Sequence, residues 1–164
     1  MADYADDWGI LTREYIKYLR FERNLSDNTI EGYERDVEQF SSFIKERHKG
    51  VTPSMLNAGH IEQFMSEVYD RGMEATSQAR ILSGVKSFLH FLQIAGMIDS
   101  SPAEFTDTPK IGRKLPDVLS VEEIDRMLAA IDLSHPQGHR NKAMLETLYS
   151  CGLRVSELVS LRLG

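Results

Sequence analysis

Apolar side chains recur at three- and four-residue spacing along most of the chain, the period of a helix with one buried face, and predict helices nearly everywhere. The first, over residues 4–23, places Trp8, Leu11, Tyr15, Tyr18 and Leu19 on one side. The second has the clearest start. Ser26 stands where a cap belongs, and Leu25 with Ile30 occupies the two positions of a hydrophobic staple. Ile30, Tyr33, Val37, Phe40 and Ile44 then continue its apolar face to about residue 48. Thr52 before Pro53 reads as a cap followed by proline at the first helical position, introducing a turn before a third helix. That helix carries Ile61, Phe64, Met65 and Val68 inward and stops at Gly72. A fourth, over residues 76–95, buries Ile81, Leu82, Val85, Phe88, Leu89 and Leu92 and ends at Gly96.

The period is lost over residues 99–116, which hold three of the five prolines, a Ser100-Ser101 pair and Gly112. This composition predicts a short turn at residues 101–104 and an interdomain linker spanning 99–118. Helical signals return with Ser120 and Glu123 as a capping box and Leu119 with Ile124 as a second staple, ahead of a helix that turns Ile124, Leu128 and Ile131 inward. A loop over 132–138 leads to a helix over 139–151 closed by Gly152, and a last short helix follows Arg154. Strand-like alternation and internal repeats are absent. The expected fold is all-α, with one domain over residues 1–98 and a second over 119–164. So short a second segment is below the size at which a lone core suffices, and it reads as the truncated start of a larger domain.

Composition supports a packed protein, with 41% hydrophobic and 27% charged residues. No apolar run approaches the roughly 20 residues of a membrane span, so no membrane association is expected. The start, MADYADDWG, has neither a basic nor an apolar leader region, which points to a cytoplasmic protein. Cys151 stands alone, excluding an internal disulfide framework and a multi-cysteine zinc site, and at the end of an apolar helix it is expected to be buried. The net charge of −6 argues against nucleic acid only as an average. Residues 75–98 contain no Asp or Glu but include Arg80, Lys86 and His90, and the charges over 108–116 are Lys110, Arg113 and Lys114. Phosphate attraction is local, screened over about 8 Å at physiological salt, so a basic face on an acidic chain can bind DNA.

The fourth helix aligns Thr76, Arg80, Ser83, Ser87 and His90 in a polar stripe opposite its apolar one, with Lys86 at the margin. Small hydroxyls between cations permit close approach to a DNA groove, where an arginine can read guanine. The competing reading is an ordinary solvated helix face. In CGLRVSEL, residues 151–158, Arg154 follows a helix-closing glycine and can aim its planar fork at a phosphate, with Glu157 to orient it. A surface ion pair at i, i+3 spacing explains the same two residues. His135 and His139 have metal-ligand spacing, but Pro136 and Gly138 between them break a rigid presentation, and no metal is expected. No Gly-rich phosphate loop occurs, so no nucleotide cofactor is expected.

Four blocks carry a resemblance: RFERNLSDNTIEGYERDVEQF at 20–40, ARILSGVKSFLHFL at 79–92, RKLPDVLSVEEIDRML at 113–128 and RNKAMLETLYSCGLRVSELVSLRL at 140–163. In order and spacing they resemble the tyrosine recombinases of the phage integrase family, of Xer type. The resemblance implies a four-helix, SAM-like core-binding domain, a linker crossing the DNA, and the first helices of a mixed α/β catalytic domain. It implies a clamp around duplex DNA with the second and fourth helices facing the major groove, which adds Thr29 and Tyr33 to Thr76, Arg80, Ser83, Lys86, Ser87 and His90, and the linker's Arg113 and Lys114, as DNA-binding residues. The GLR matches the family's first catalytic arginine, here Arg154, with Glu157 in support. The implied chemistry is strand cleavage and rejoining through a 3′-phosphotyrosine, needing no metal or ATP. The implied assembly is four protomers, of self or a paralogous recombinase, around two duplexes. None of the six tyrosines matches the nucleophile's motif, and the family's remaining catalytic residues would follow Gly164, so these residues alone are expected to be inactive. Asn141 departs from the acidic residue that commonly follows the arginine at 140. A non-catalytic helical DNA-binding regulator and a helical protein-interaction module are the alternative readings.

Overall fold

A computed structural model describes residues 7–109, 112 and 117–162. Among them lie seven α-helices: α1 (Trp8–Phe21), α2 (Asp27–Arg47), α3 (Ala58–Asp70), α4 (Ala75–Ile94), α5 (Val121–Ala129), α6 (Gly138–Cys151) and α7 (Val155–Val159). A single 3-10 turn, Pro53–Met55, precedes α3. The chain divides into two compact units, Met1–Gly112 and Arg113–Gly164. Among the described residues no helix is long and apolar enough to cross a membrane.

In the first unit, α1 to α4 close over one core. Tyr15, Phe40, Phe64 and Phe88 are its largest fully buried side chains, and Phe43, which the apolar period did not single out, joins them. The rings meet edge to face, Phe40 with Phe64 at 5.2 Å and Tyr15 with Phe88 at 5.3 Å, the arrangement that aromatic quadrupoles favour. Tyr18, Tyr33 and Met65 sit at the margin, packed against this core but only partly buried.

The helix ends differ in detail from the sequence reading. Asp7 caps α1, its carboxylate accepting from the amides of Gly9 and Ile10 at 2.7 and 3.2 Å. Ser26 does occupy the cap position of α2, but its hydroxyl pairs with that of Thr29 at 2.9 Å and takes no backbone amide. Thr52 likewise pairs with Ser54. At α3 an unforeseen capping box forms: Asn57 Oδ1 accepts the His60 amide and His60 Nδ1 accepts the Asn57 amide, both at 3.2 Å. A histidine in the third helical position replaces the usual Glu or Gln, so the sequence signature is hidden.

Two features shape the packing around α4. The first is a close approach of α2 and α4 at Gly84, where an added Cβ would lie 2.7 Å from Asp36 Oδ2. The second is the course of the chain after α4. Ile98 and Ala103 are buried in the core, and Lys86 Nζ donates to the Thr106 carbonyl at 2.8 Å. The bundle therefore does not end at residue 98, and the first part of the expected linker packs onto it. Two isolated apolar anchors in a turn-rich stretch have no period to reveal them.

In the second unit the Ser120–Glu123 capping box forms as the sequence predicts, with Ser120 Oγ accepting the Glu123 amide and Glu123 Oε2 accepting the Ser120 amide. Leu119 and Ile124 line one apolar cleft of about 240 Å³ with Leu128, Leu145 and Leu148. Ile124, Leu128 and Ile131 are only half-buried, and Cys151 is exposed rather than buried as expected. Three short helices cannot enclose a side chain on all sides. Gly138 is required where α6 begins, since a Cβ there would fall 2.1 Å from the Asp132 carbonyl oxygen.

Gly84→Ala should destabilise the first unit by about 1–3 kcal/mol through overpacking against Asp36. Urea unfolding followed by fluorescence of Trp8, the single tryptophan and one buried in that core, measures it directly.

Candidate nucleic-acid interface

Between α2 and α4 runs an open groove of about 410 Å³. Thr29, Tyr33 and Arg35 line it from α2, Arg80 and Ser83 from α4, and Asp36 forms part of its wall. Residues 29, 33 and 36 share one face of α2 and residues 80 and 83 one face of α4 because each set repeats at helical spacing. Thr29 is exposed, while Tyr33 is half-buried with its ring edge-on to Tyr15 at 6.5 Å.

Arg80 is not a free cation. Its Nη1 donates to Asp36 Oδ1 and Oδ2 at 2.6 and 2.7 Å. Asp36 is 3% exposed, whereas the arginine side chain is 55% exposed. Burial pushes the Asp36 carboxyl above the usual carboxylate value, opposed by the Arg80 hydrogen bond and charge and, more weakly, by Arg35. The acid-free fourth helix thus takes its counter-charge from the second. Asp36 carries a signal that the sequence reading passed over: it falls three residues after Tyr33 and four before Phe40, on the apolar face, where a lone carboxylate requires a partner.

The rest of the stripe divides. Thr76, Ser83 and His90 are exposed on α4 with Arg80. Ser87 turns into the bundle, where its Oγ accepts from the Tyr15 hydroxyl at 2.9 Å. Tyr15 is fully buried, and burial drives its hydroxyl well above the ordinary phenol range. Lys86 is tied to the Thr106 carbonyl. Ser87 Oγ and one Lys86 N–H are therefore engaged within the protein, because helical spacing places residues on a face without showing what approaches that face from elsewhere. Arg113 and Lys114 lie outside the described residues.

In the second unit Arg154 occupies the position just before α7, after Gly152 has closed α6 in the left-handed conformation at φ 63°. Glu157 accepts from the Arg154 amide at 2.7 Å through one carboxylate oxygen and from its Nη1 at 3.1 Å through the other. The pair is exposed, so it adds little stability. It engages Nη1 alone, and no protein acceptor among the described residues takes the Nε or Nη2 hydrogens.

Both units match one class of protein. Residues 12–96 match the phage integrase N-terminal SAM-like domain and residues 117–164 match the phage integrase family. The chain belongs to the phage integrase family of tyrosine recombinases. It is similar to the tyrosine recombinase XerD of Listeria monocytogenes serotype 4b, with 40% identity over 93% of this chain and 52% of that protein. The XerD of Oceanobacillus iheyensis is 39% identical over 100% of this chain and 53% of its own length. The chain thus spans about half the length of the curated relatives it matches. In fold it resembles an integrase from mycobacterium phage Brujita, with a TM-score of 0.55 and 21% identity over 92% of this chain and 48% of that one.

Two stability measurements check the assignments on α4. Arg80→Ala leaves Asp36 buried without its partner and should cost about 1–3 kcal/mol at neutral pH. Because a raised carboxyl value favours the protonated fold, and losing the guanidinium raises it further, this deficit should grow as pH climbs through the raised value and shrink as Asp36 takes up a proton. Urea unfolding across a pH series reads it. Ser87→Ala should cost about 1 kcal/mol by unpairing the Tyr15 hydroxyl, while leaving DNA affinity unchanged in a gel-shift assay.

Proposed function

We propose that the chain supplies the DNA-binding domain and the first catalytic arginine of a site-specific tyrosine recombinase. The reading is carried by the α2–α4 groove, where Thr29, Tyr33, Arg80 and Ser83 converge on an otherwise acidic chain of this family. A major groove about 12 Å wide admits a helix, and exposed hydroxyls interleaved with cations suit its phosphate and base edges. Thr76 and His90 extend the contact along α4, and Arg113 and Lys114 add charge beyond the bundle. The partner is a duplex recombination site, shared in the intact assembly with further copies or a paralogous recombinase. In this reading the setting is the cytoplasm and the physiological task is chromosome partition in the cell cycle, with integration of a mobile element as the alternative.

The intact protein cleaves one strand by attack of a tyrosine hydroxyl on phosphorus, forming a 3′-phosphotyrosine and releasing a 5′-hydroxyl that later reverses the step on a partner strand. Negative charge concentrates on the non-bridging oxygens during attack. Arg154, held by Glu157, donates charge-assisted hydrogen bonds to them and so binds the transition state more tightly than the ground state. The covalent link conserves the phosphodiester bond energy, so neither metal nor ATP is required. None of the six tyrosines present is the nucleophile in this reading, and residues 1–164 alone bind DNA without cutting it.

Residues 1–164 should therefore bind duplex DNA with an affinity that falls steeply with salt, and a panel of duplexes at low salt on which no binding is seen rejects the reading. In the intact protein, Arg154→Ala and Arg154→Lys should sharply lower covalent adduct formation on a suicide substrate while leaving site binding largely intact, since lysine lacks the planar fork. Normal adduct formation would reduce Arg154 and Glu157 to a surface ion pair.

A further inference from the structure

We infer that Asp36 is a positioning residue, which holds one corner of the Arg80 guanidinium so that the opposite edge reads the O6 and N7 acceptors of a guanine in the α2–α4 groove. The inference rests on the DNA-binding reading above and goes beyond it by assigning a base and the residue that sets the reader's orientation.

A guanidinium has five N–H donors in one plane. Both carboxylate oxygens of Asp36 take Nη1, and no protein acceptor among the described residues takes Nε or Nη2. These two nitrogens form a single edge with parallel hydrogens, the geometry that matches two adjacent acceptors. Asp36 cannot swing to follow a ligand, because it is buried against Gly84, where even a methyl group would clash with it. The arginine is therefore clamped at one corner and open at the other, with more than half of its side chain exposed to the groove.

The same carboxylate bears on which acceptor fits. A phosphate on the open edge would set a second anion against the buried one across a single cation, and like charges so close disfavour each other. A guanine edge offers two acceptors without net charge. The neighbours agree: Asn28, Thr29, Tyr33 and Ser83 around Arg80 are neutral hydrogen-bonding groups suited to a base edge, with Arg35 the other cation lining the groove. The pairing of Asp36 and Arg80 thus favours recognition of sequence over general adhesion to the DNA backbone.

The test uses the 164-residue chain and duplexes selected by it from a randomised pool. The unsubstituted chain should show one guanine whose replacement weakens binding by about tenfold or more, as for a bidentate base contact. Asp36→Asn, close in shape, and Arg80→Lys, which keeps the charge but has no second edge, should both bring that preference toward one while binding the remaining positions with normal selectivity and little change in salt dependence. Trp8 fluorescence confirms that each variant is folded, and Arg80→Lys still decides the matter if Asp36→Asn does not fold. Retention of the guanine preference in Arg80→Lys, or in folded Asp36→Asn, overturns the inference. So does a uniform loss across all sequences with a salt slope lower by about one, the mark of a phosphate contact. Selection that yields binding without a guanine preference overturns the inference alone, whereas failure to bind any duplex overturns the DNA-binding reading and takes the inference with it.

Discussion

The burial of one carboxylate between α2 and α4 governs the face of the first unit that these two helices share. Asp36 sits against a glycine that removes every obstacle to close packing, and its charge is met by an arginine whose other end stays in water. Removing an ion from water is costly, and a single partner compensates only when its geometry is good. Here both oxygens engage one nitrogen at short range. The contact ties the spacing of the two helices, and with it the width of the groove between them, to the orientation of a half-exposed cation that lines it.

The helical architecture of the first unit was legible because apolar positions repeat at helical spacing, from Trp8 to Leu19 and from Ile81 to Leu92. Periodicity reports which residues share a face, and it found the stripe of Thr76, Arg80, Ser83, Ser87 and His90 on that basis. It could not report that Tyr15 reaches Ser87 from seventy-two positions away, or that Asp36 reaches Arg80 from forty-four. Long-range partners leave no mark in local spacing. The docking of Ile98 and Ala103 was hidden for the opposite reason, since single apolar residues among prolines and serines set up no pattern at all.

The second unit shows the limits of a different signal. Its capping box at Ser120 was plain, as was the helix-closing glycine before Arg154, because both are local chemistry within four residues. Burial was not, and Cys151 faces out where an apolar helix end suggested an interior place. Arg154 and Glu157 form the exposed pair at i, i+3 spacing that local chemistry predicts, and the proposed phosphate contact would use the guanidinium hydrogens this pair leaves open.

Gly84 and Asp36 occupy what amounts to a single volume shared by two helices. Neither position can drift on its own: a side chain at 84 displaces the carboxylate, and a larger group at 36 meets the backbone of α4. The exposed positions 29, 76, 83 and 90 can vary singly without a packing penalty, while 36 and 84 must change together or stay. This face therefore separates into a part open to single substitutions and a part locked by the packing of one helix on the other.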